Sequence, residues 1–172
     1  MTFEQIKAIP VKDLAAKNCL LFLWATMPKL PEILDVIDTW GFKYTTCAFS
    51  WIKLNPKGWL EHGIERRKKF IILRGGVYSG MGSWTNGNAE LCLLAKRGRP
   101  NRLARNVKQV LLSPVGRHSA KPAEARERII QLAGDLPRIE LFAREKVPGW
   151  DAIGIDLDGS DVLTVFNARG CY

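Results

Sequence analysis

The sequence predicts an α/β fold with a largely parallel sheet, and three observations carry that expectation. Short, continuous apolar runs such as residues 19–26 are strand-sized and have no polar face, as a sheet covered on both sides requires. Segments with apolar residues at helical spacing fall between those runs. The chain has 172 residues and no internal repeat, which suits one domain with a sizeable core.

Taken in order, the first strand is CLLFLWAT, residues 19–26. Pro28 and Pro31 break the chain after it. Leu30, Ile33, Leu34 and Ile37 then predict a helix from Pro31 to Trp40 that stops at Gly41. A second strand is expected over Thr46–Lys53, ended by Asn55-Pro56. Residues 56–88 read as a long loop with a basic cluster and a glycine-rich stretch from Gly75 to Gly87, with a hairpin at Asn86-Gly87. Glu90–Ala95 and Gln109–Ser113 are the third and fourth strands, separated by the strongly basic KRGRPNRLARNVK. Pro122 suits the first turn of a helix whose apolar face is Ala125, Ile129, Leu132 and Ala133. Glu124 and Arg128 are spaced for an i,i+4 pair on its wet side. Arg138–Ala143 is a fifth strand, and VLTVF near the end reads as a last one.

Lys and Arg outnumber Asp and Glu by 26 to 17, a formal charge of +9. That excess favours a polyanionic partner through phosphate contacts and counterion release. An anionic membrane surface is the rival, but no basic amphipathic helix supports it. No apolar run approaches bilayer length, and the first residues lack a basic stretch followed by an apolar core. Of the four cysteines, Cys19, Cys47 and Cys92 lie in or beside apolar runs, and no Cys-x-x-Cys pair occurs. With two histidines, His62 and His118, no metal site is expected, and the reading is a reducing intracellular compartment.

Several motifs carry two readings each. GGVYSGMGSW lacks the Gly-Lys-Ser/Thr ending of a phosphate loop and reads first as a flexible loop. Arg66, Arg67, Lys68 and Lys69 form a solvated patch or, beside Trp59, Phe70 and Tyr78, a nucleic-acid contact. His118 and Cys92 are not placed together by anything in the sequence, so a nucleophile-base pair is not supported. His118-Ser119-Ala120-Lys121-Pro122 precedes a helix start, where side chains and free N–H groups suit helix capping or a bound carboxylate or phosphate. Glu140 is a charge in a buried run and must pair or meet a ligand. Arg144 ends that strand, and ligands of doubly wound sheets bind outside the carboxyl ends of strands.

Taken together, the strings MTFEQIKAIPV, LLFLWAT, TWGF, SWIKLN, GMGSWTNGNAELCLLAKRG, HSAKPAEARERI, RIELFAR and Gly149-Trp150 followed by Gly154 resemble one family in its order. It is the family named for the seventy-kilodalton catalytic subunit of the eukaryotic mRNA adenosine methyltransferase, especially its phage and prophage members. The resemblance implies a Rossmann-like, S-adenosylmethionine-dependent methyltransferase domain over residues 1–159, with 160–172 as a tail. It implies methylation of the exocyclic amino group of adenine, with DNA favoured over RNA, in the cytoplasm of a bacterium or a phage-infected host. A homo- or heterodimer is compatible with it. Ser119, Lys121, Glu140, Leu141, Arg144 and Asp156 are the implied cofactor residues, Lys121 meeting the amino-acid carboxylate. Arg66, Arg67, Lys68, Lys69, Trp84 and Asn88 are the expected nucleic-acid contacts. The family's Asp-Pro-Pro-Trp motif, which grips the adenine amino group, is expected upstream of Met1 together with the first strand. No catalytic residue is identifiable in the chain, and Ile155 stands where many relatives have Asn. The 172-residue chain by itself is therefore expected not to methylate adenine at a useful rate. A non-catalytic nucleic-acid-binding relative or partner subunit is the alternative, and an unrelated basic α/β domain the third reading.

Overall fold

Helix α1 (Phe3–Lys7) begins with a capping box, in which the Thr2 hydroxyl accepts from the Gln5 amide and the Gln5 side chain accepts from the Thr2 amide. A single turn, α2 (Val11–Leu14), leads to strand β1 (Cys19–Ala25). The computed structural model describes residues 1–82, 84–117 and 120–168.

β1 is apolar throughout because its alternating side chains serve two cores. Leu21 and Leu23 pack with helix α3 (Leu30–Thr39), while Phe22 and Trp24 pack with helix α4 (Ala123–Ala133) on the other face. α3 falls within a residue of its expected span, and α4 contains the expected apolar positions with Pro122 as its N-cap, one place before the first turn. Trp40, at the end of α3, is buried and donates its indole N–H to the Ile6 carbonyl at 3.1 Å, tying α3 to α1.

The expectation of a largely parallel sheet is corrected. The main sheet has the order β1-β5-β2-β6, built with β2 (Lys43–Leu54), β5 (Ala89–Arg97) and β6 (Val110–Pro114). β5 runs antiparallel to both β1 and β2, and only β2 and β6 pair in parallel. A parallel neighbour needs a crossover, usually a helix. The segment between β2 and β5 contains none, so the chain re-enters the sheet at the end where it left.

That segment is not the expected long loop. Strands β3 (Trp59–Glu65) and β4 (Lys68–Arg74) form a hairpin with seven residue pairs. Its two-residue turn is Arg66-Arg67, both at positive φ (46° and 66°), the primed-turn geometry that matches strand twist. Gly63 lies directly beneath the Phe70 ring, where a Cβ would come within 2.2 Å of a ring carbon. Asn86-Gly87 is not a two-residue hairpin turn; Gly80 and Gly87 instead bridge and close a loop between them.

After α4, β7 (Ile139–Leu141) and β8 (Asp151–Ile153) form a separate parallel pair, followed by the single turn α5 (Ile155–Asp158). The fifth strand is thus half its expected length. VLTVF is not a strand: it lies in helix α6 (Val162–Ala168). The Asp161 carboxylate accepts from the Thr164 amide at 2.8 Å, and Val162, Val165 and Phe166 join the α3-side core at helical spacing. Among the described residues no helix is long and apolar enough to cross a membrane.

Candidate functional site

The carboxyl ends of β1, β2 and β6 and the amino end of β5 meet at one edge of the main sheet. Side-chain alternation puts Trp24, Trp51, Lys53, Glu90 and Ser113 there on the α4 face. Trp51 lies opposite Glu90 in register, and Trp24 opposite Cys92. The two indoles meet edge to face, with centroids 6.3 Å apart.

Glu90 is the centre of this group. One carboxylate oxygen accepts from Lys53 Nζ at 2.6 Å and the other from Lys121 Nζ. Lys121 also lies over the Trp24 ring at 5.5 Å, and Lys53 over Trp51 at 5.2 Å. Burial acts to raise the Glu90 carboxyl, but hydrogen bonds from Lys121 and Lys53 outweigh it and hold the group below its ordinary value. A cavity of about 340 Å³ opens beside the cluster, lined by Trp51, Ser113, Gly116, Lys121 and the first residues of α4. Its rim is polar in a specific way. Pro122 caps α4 without a side-chain hydrogen bond, leaving the first N–H groups of that helix available, and the buried Ser113 hydroxyl has no partner among the described residues.

Beyond the first turn of α4, Arg126 donates to both Glu140 oxygens at 2.8 and 3.3 Å and to Glu145 at 2.9 Å. The carboxyl end of β7 therefore lies beside the helix turn that follows Lys121. Burial acts against the Arg126 charge, and Glu140 and then Glu145 more than restore it. Glu140 meets the requirement that a charge in an apolar run be paired. Leu141 packs against the α3-side core, and Arg144 is ion-paired to Asp156 at 2.9 Å. Gly154 allows close packing here: a Cβ on it would fall 2.0 Å from the Ala143 carbonyl oxygen.

Of the sequence-predicted residues, Lys121 is in the central cluster, and Glu140, Leu141, Arg144 and Asp156 lie on the β7–β8 side. Ser119 and His118 lie outside the described residues. Trp84 is fully exposed in the loop closed by Gly80 and Gly87. Asn88, also exposed, uses its carbonyl to accept from the Lys53 amide at 2.8 Å, which puts it at the rim. Arg66, Arg67, Lys68 and Lys69 occupy the tip of the β3–β4 hairpin, roughly 24 Å along seven residues from its base. Sequence reasoning missed Glu90, Lys53, Trp24, Trp51 and Arg126. The signal for the first two was present, since each is the one charge in its stretch, Lys53 in residues 46–54 and Glu90 in residues 89–95, as Glu140 is in its short strand.

The family model described as MT-A70 matches residues 1–156. The chain belongs to the MT-A70 family. It is 30% identical over 166 residues to a protein of a Mycoplasma species named Type II methyltransferase M.MunI, covering 94% of this chain and 60% of that protein. It is 29% identical over 162 residues to a Medicago truncatula protein named Putative N(6)-adenosine-methyltransferase MT-A70-like, covering 92% of this chain and 24% of that one. A rice relative named Probable N(6)-adenosine-methyltransferase MT-A70-like is 29% identical over the same 92% of the chain and 20% of its own length. The MT-A70 chain described here thus spans 60% of the first relative and a quarter or less of the plant proteins.

Proposed function

We propose that this MT-A70 chain supplies the cofactor-binding part of an enzyme that transfers a methyl group from S-adenosylmethionine to the N6 amino group of adenine in nucleic acid, with DNA as the favoured substrate, and that transfer needs one further strand carrying the Asp-Pro-Pro-Trp motif. The observation that carries the reading is the Lys53–Glu90–Lys121 cluster at the strand ends, opening on a cavity at an uncapped helix start. The relatives' names support the reaction class, and the phage-type resemblance favours DNA.

The donors fit the cofactor. Lys121 and the first N–H groups of α4 suit an amino-acid carboxylate, and the orphaned Ser113 hydroxyl offers a further polar contact. Trp51 adds an aromatic wall to that cavity, and the two lysines against one carboxylate leave the cluster net positive, which suits the anionic end of the cofactor. S-adenosylmethionine, when bound, supplies an electrophilic methyl group. Glu140, Arg144 and Asp156 would hold its adenosine half, Glu140 accepting from ribose hydroxyls with the lone pairs that Arg126 leaves free. Glu90 positions Lys121 by charge, and the tryptophans shield that pair from water.

We further infer a Rossmann-like sheet with one more strand between β1 and β7. Among the described residues β1 pairs only with β5 and β7 only with β8, so each has one unpaired edge. Leu21 and Leu23 of β1 share a core with Leu141 of β7 and Ile153 of β8. A strand ending in Asp-Pro-Pro-Trp placed there would bring a carboxylate and a rigid backbone carbonyl to the adenine amino hydrogens. The test is transfer of labelled methyl groups to adenine-containing DNA and RNA, by the chain and by the chain extended with such a strand. Transfer that requires the extension and prefers DNA is expected. Nucleic-acid binding without transfer by either protein would favour the non-catalytic reading.

A further inference from the structure

The end of the sheet opposite the candidate site holds a dense run of positive charge. From Lys96 to Gln109 the chain carries Lys96, Arg97, Arg99, Arg102, Arg105 and Lys108 and no carboxylate. Lys43 lies opposite Lys96 in register, and Lys17 precedes β1 at the same end. Lys96, Arg99, Arg102, Arg105 and Lys108 are exposed, and none of their side chains enters an ion pair or hydrogen bond among the described residues. The charges at Glu90 and Arg126 are neutralised internally, whereas Arg66, Arg67, Lys68 and Lys69 at the hairpin tip form a second, shorter unpaired cluster among the described residues.

This loop is also held in shape. The Arg99 amide donates to Asn18 Oδ1 at 2.8 Å, the Leu103 amide to the Leu132 carbonyl at 2.8 Å, and Gln109 Nε2 to the Cys47 carbonyl at 2.7 Å. Arg128 of α4 donates to the Val110 carbonyl at 2.8 Å. A loop anchored at both ends and in its middle presents its cations with little ordering left to lose on binding.

We propose that the loop from Lys96 to Lys108 is a second nucleic-acid contact that grips a duplex phosphate backbone away from the candidate site. Arg97 is seven residues along β5 from Glu90, roughly 24 Å. At 3.4 Å per phosphate along a strand, that is about seven base pairs. The loop contains no Trp, Tyr or Phe to stack on unpaired bases, which favours a duplex over a single strand. It has one exposed large apolar residue, Leu103, where a membrane-seeking surface needs an apolar face. The proposal rests on the nucleic-acid substrate given above, but its test reads binding without methyl transfer, so the two readings fail separately.

The experiment titrates the full chain against a labelled duplex at several salt concentrations. It compares the protein with a variant carrying Arg99→Ala, Arg102→Ala, Arg105→Ala and Lys108→Ala, and with one carrying Arg99→Lys, Arg102→Lys and Arg105→Lys. The alanine variant is expected to bind every sequence more weakly and to flatten the slope of log affinity against log salt by about 0.9 for each phosphate it no longer neutralises. The lysine variant keeps the charge and is expected to keep the slope. Equal affinity and slope in the alanine variant would overturn the proposal. So would weakening by the lysine variant equal to that by alanine, or weaker binding to phosphatidylserine vesicles with duplex binding intact.

Discussion

Glu90→Gln keeps the size of the side chain at the centre of the site and removes the charge that holds two lysines. The Glu90 side chain is 15% exposed, with Lys53 at 20% and Lys121 at 27%. Breaking a fully buried pair costs about 3–5 kcal/mol, whereas an exposed pair contributes about 0.2–1 kcal/mol. Intermediate burial and solvent screening put the loss at about 2 kcal/mol. For a chain of this size that lowers Tm by about 4–8 °C. The effect also has a pH signature. The lysines hold the Glu90 carboxyl below its ordinary value when folded, so its contribution is fully present above the unfolded value of about 4.3 and fades as pH falls through the lower folded value. Urea unfolding followed by tryptophan fluorescence at about pH 7 and about pH 3.5 measures both. A difference from wild type below about 0.5 kcal/mol at neutral pH, or one unchanged in acid, would refute the electrostatic account of the cluster.

Three further outcomes are expected. Arg66→Asn with Arg67→Gly relieves two arginines at positive φ, each strained by about 1–2 kcal/mol, and should slow hydrogen exchange of β3–β4 amides at least about tenfold; unchanged exchange would count against strain at that turn. Gly154→Ala drives a methyl group into the Ala143 carbonyl and should cost about 1–3 kcal/mol in denaturant unfolding, and a neutral result would mean the β7–β8 end does not pack as described. Cys92 is fully buried and burial pushes its thiol up, so a thiol-alkylating reagent should leave it unmodified until the protein unfolds; modification of the native protein would contradict its place between the two layers.

Much of the scaffold was legible because burial on both faces leaves a plain mark. β1, α3 and α4 carry unbroken or periodic apolar patterns whose ends are set by proline, glycine and charge. The β3–β4 hairpin escaped detection because Arg66-Arg67 occupies a turn that usually calls for Asn-Gly, while the Asn-Gly present at 86–87 helps close a longer loop. VLTVF is too short for its apolar run to separate strand from helix, and the discriminating residue, Asp161, lies just before it. The direction of β5 could have been inferred from the lack of a crossover helix before it. At the site, Lys121 stood out through its place before a helix. Glu90 passed as part of a strand because its partners Lys53 and Lys121 are 37 and 31 residues away in sequence, and only the fold brings them together.

We propose that Lys121 and the start of α4 hold the carboxylate of S-adenosylmethionine. Calorimetric titration of the cofactor into the chain and into Lys121→Ala tests it without requiring methyl transfer. Losing a charge-assisted hydrogen bond costs about 1.5–3 kcal/mol, so the account predicts binding that is weaker in the variant by roughly 10- to 150-fold. Binding of the same affinity in both proteins would contradict it and remove Lys121 from the cofactor site.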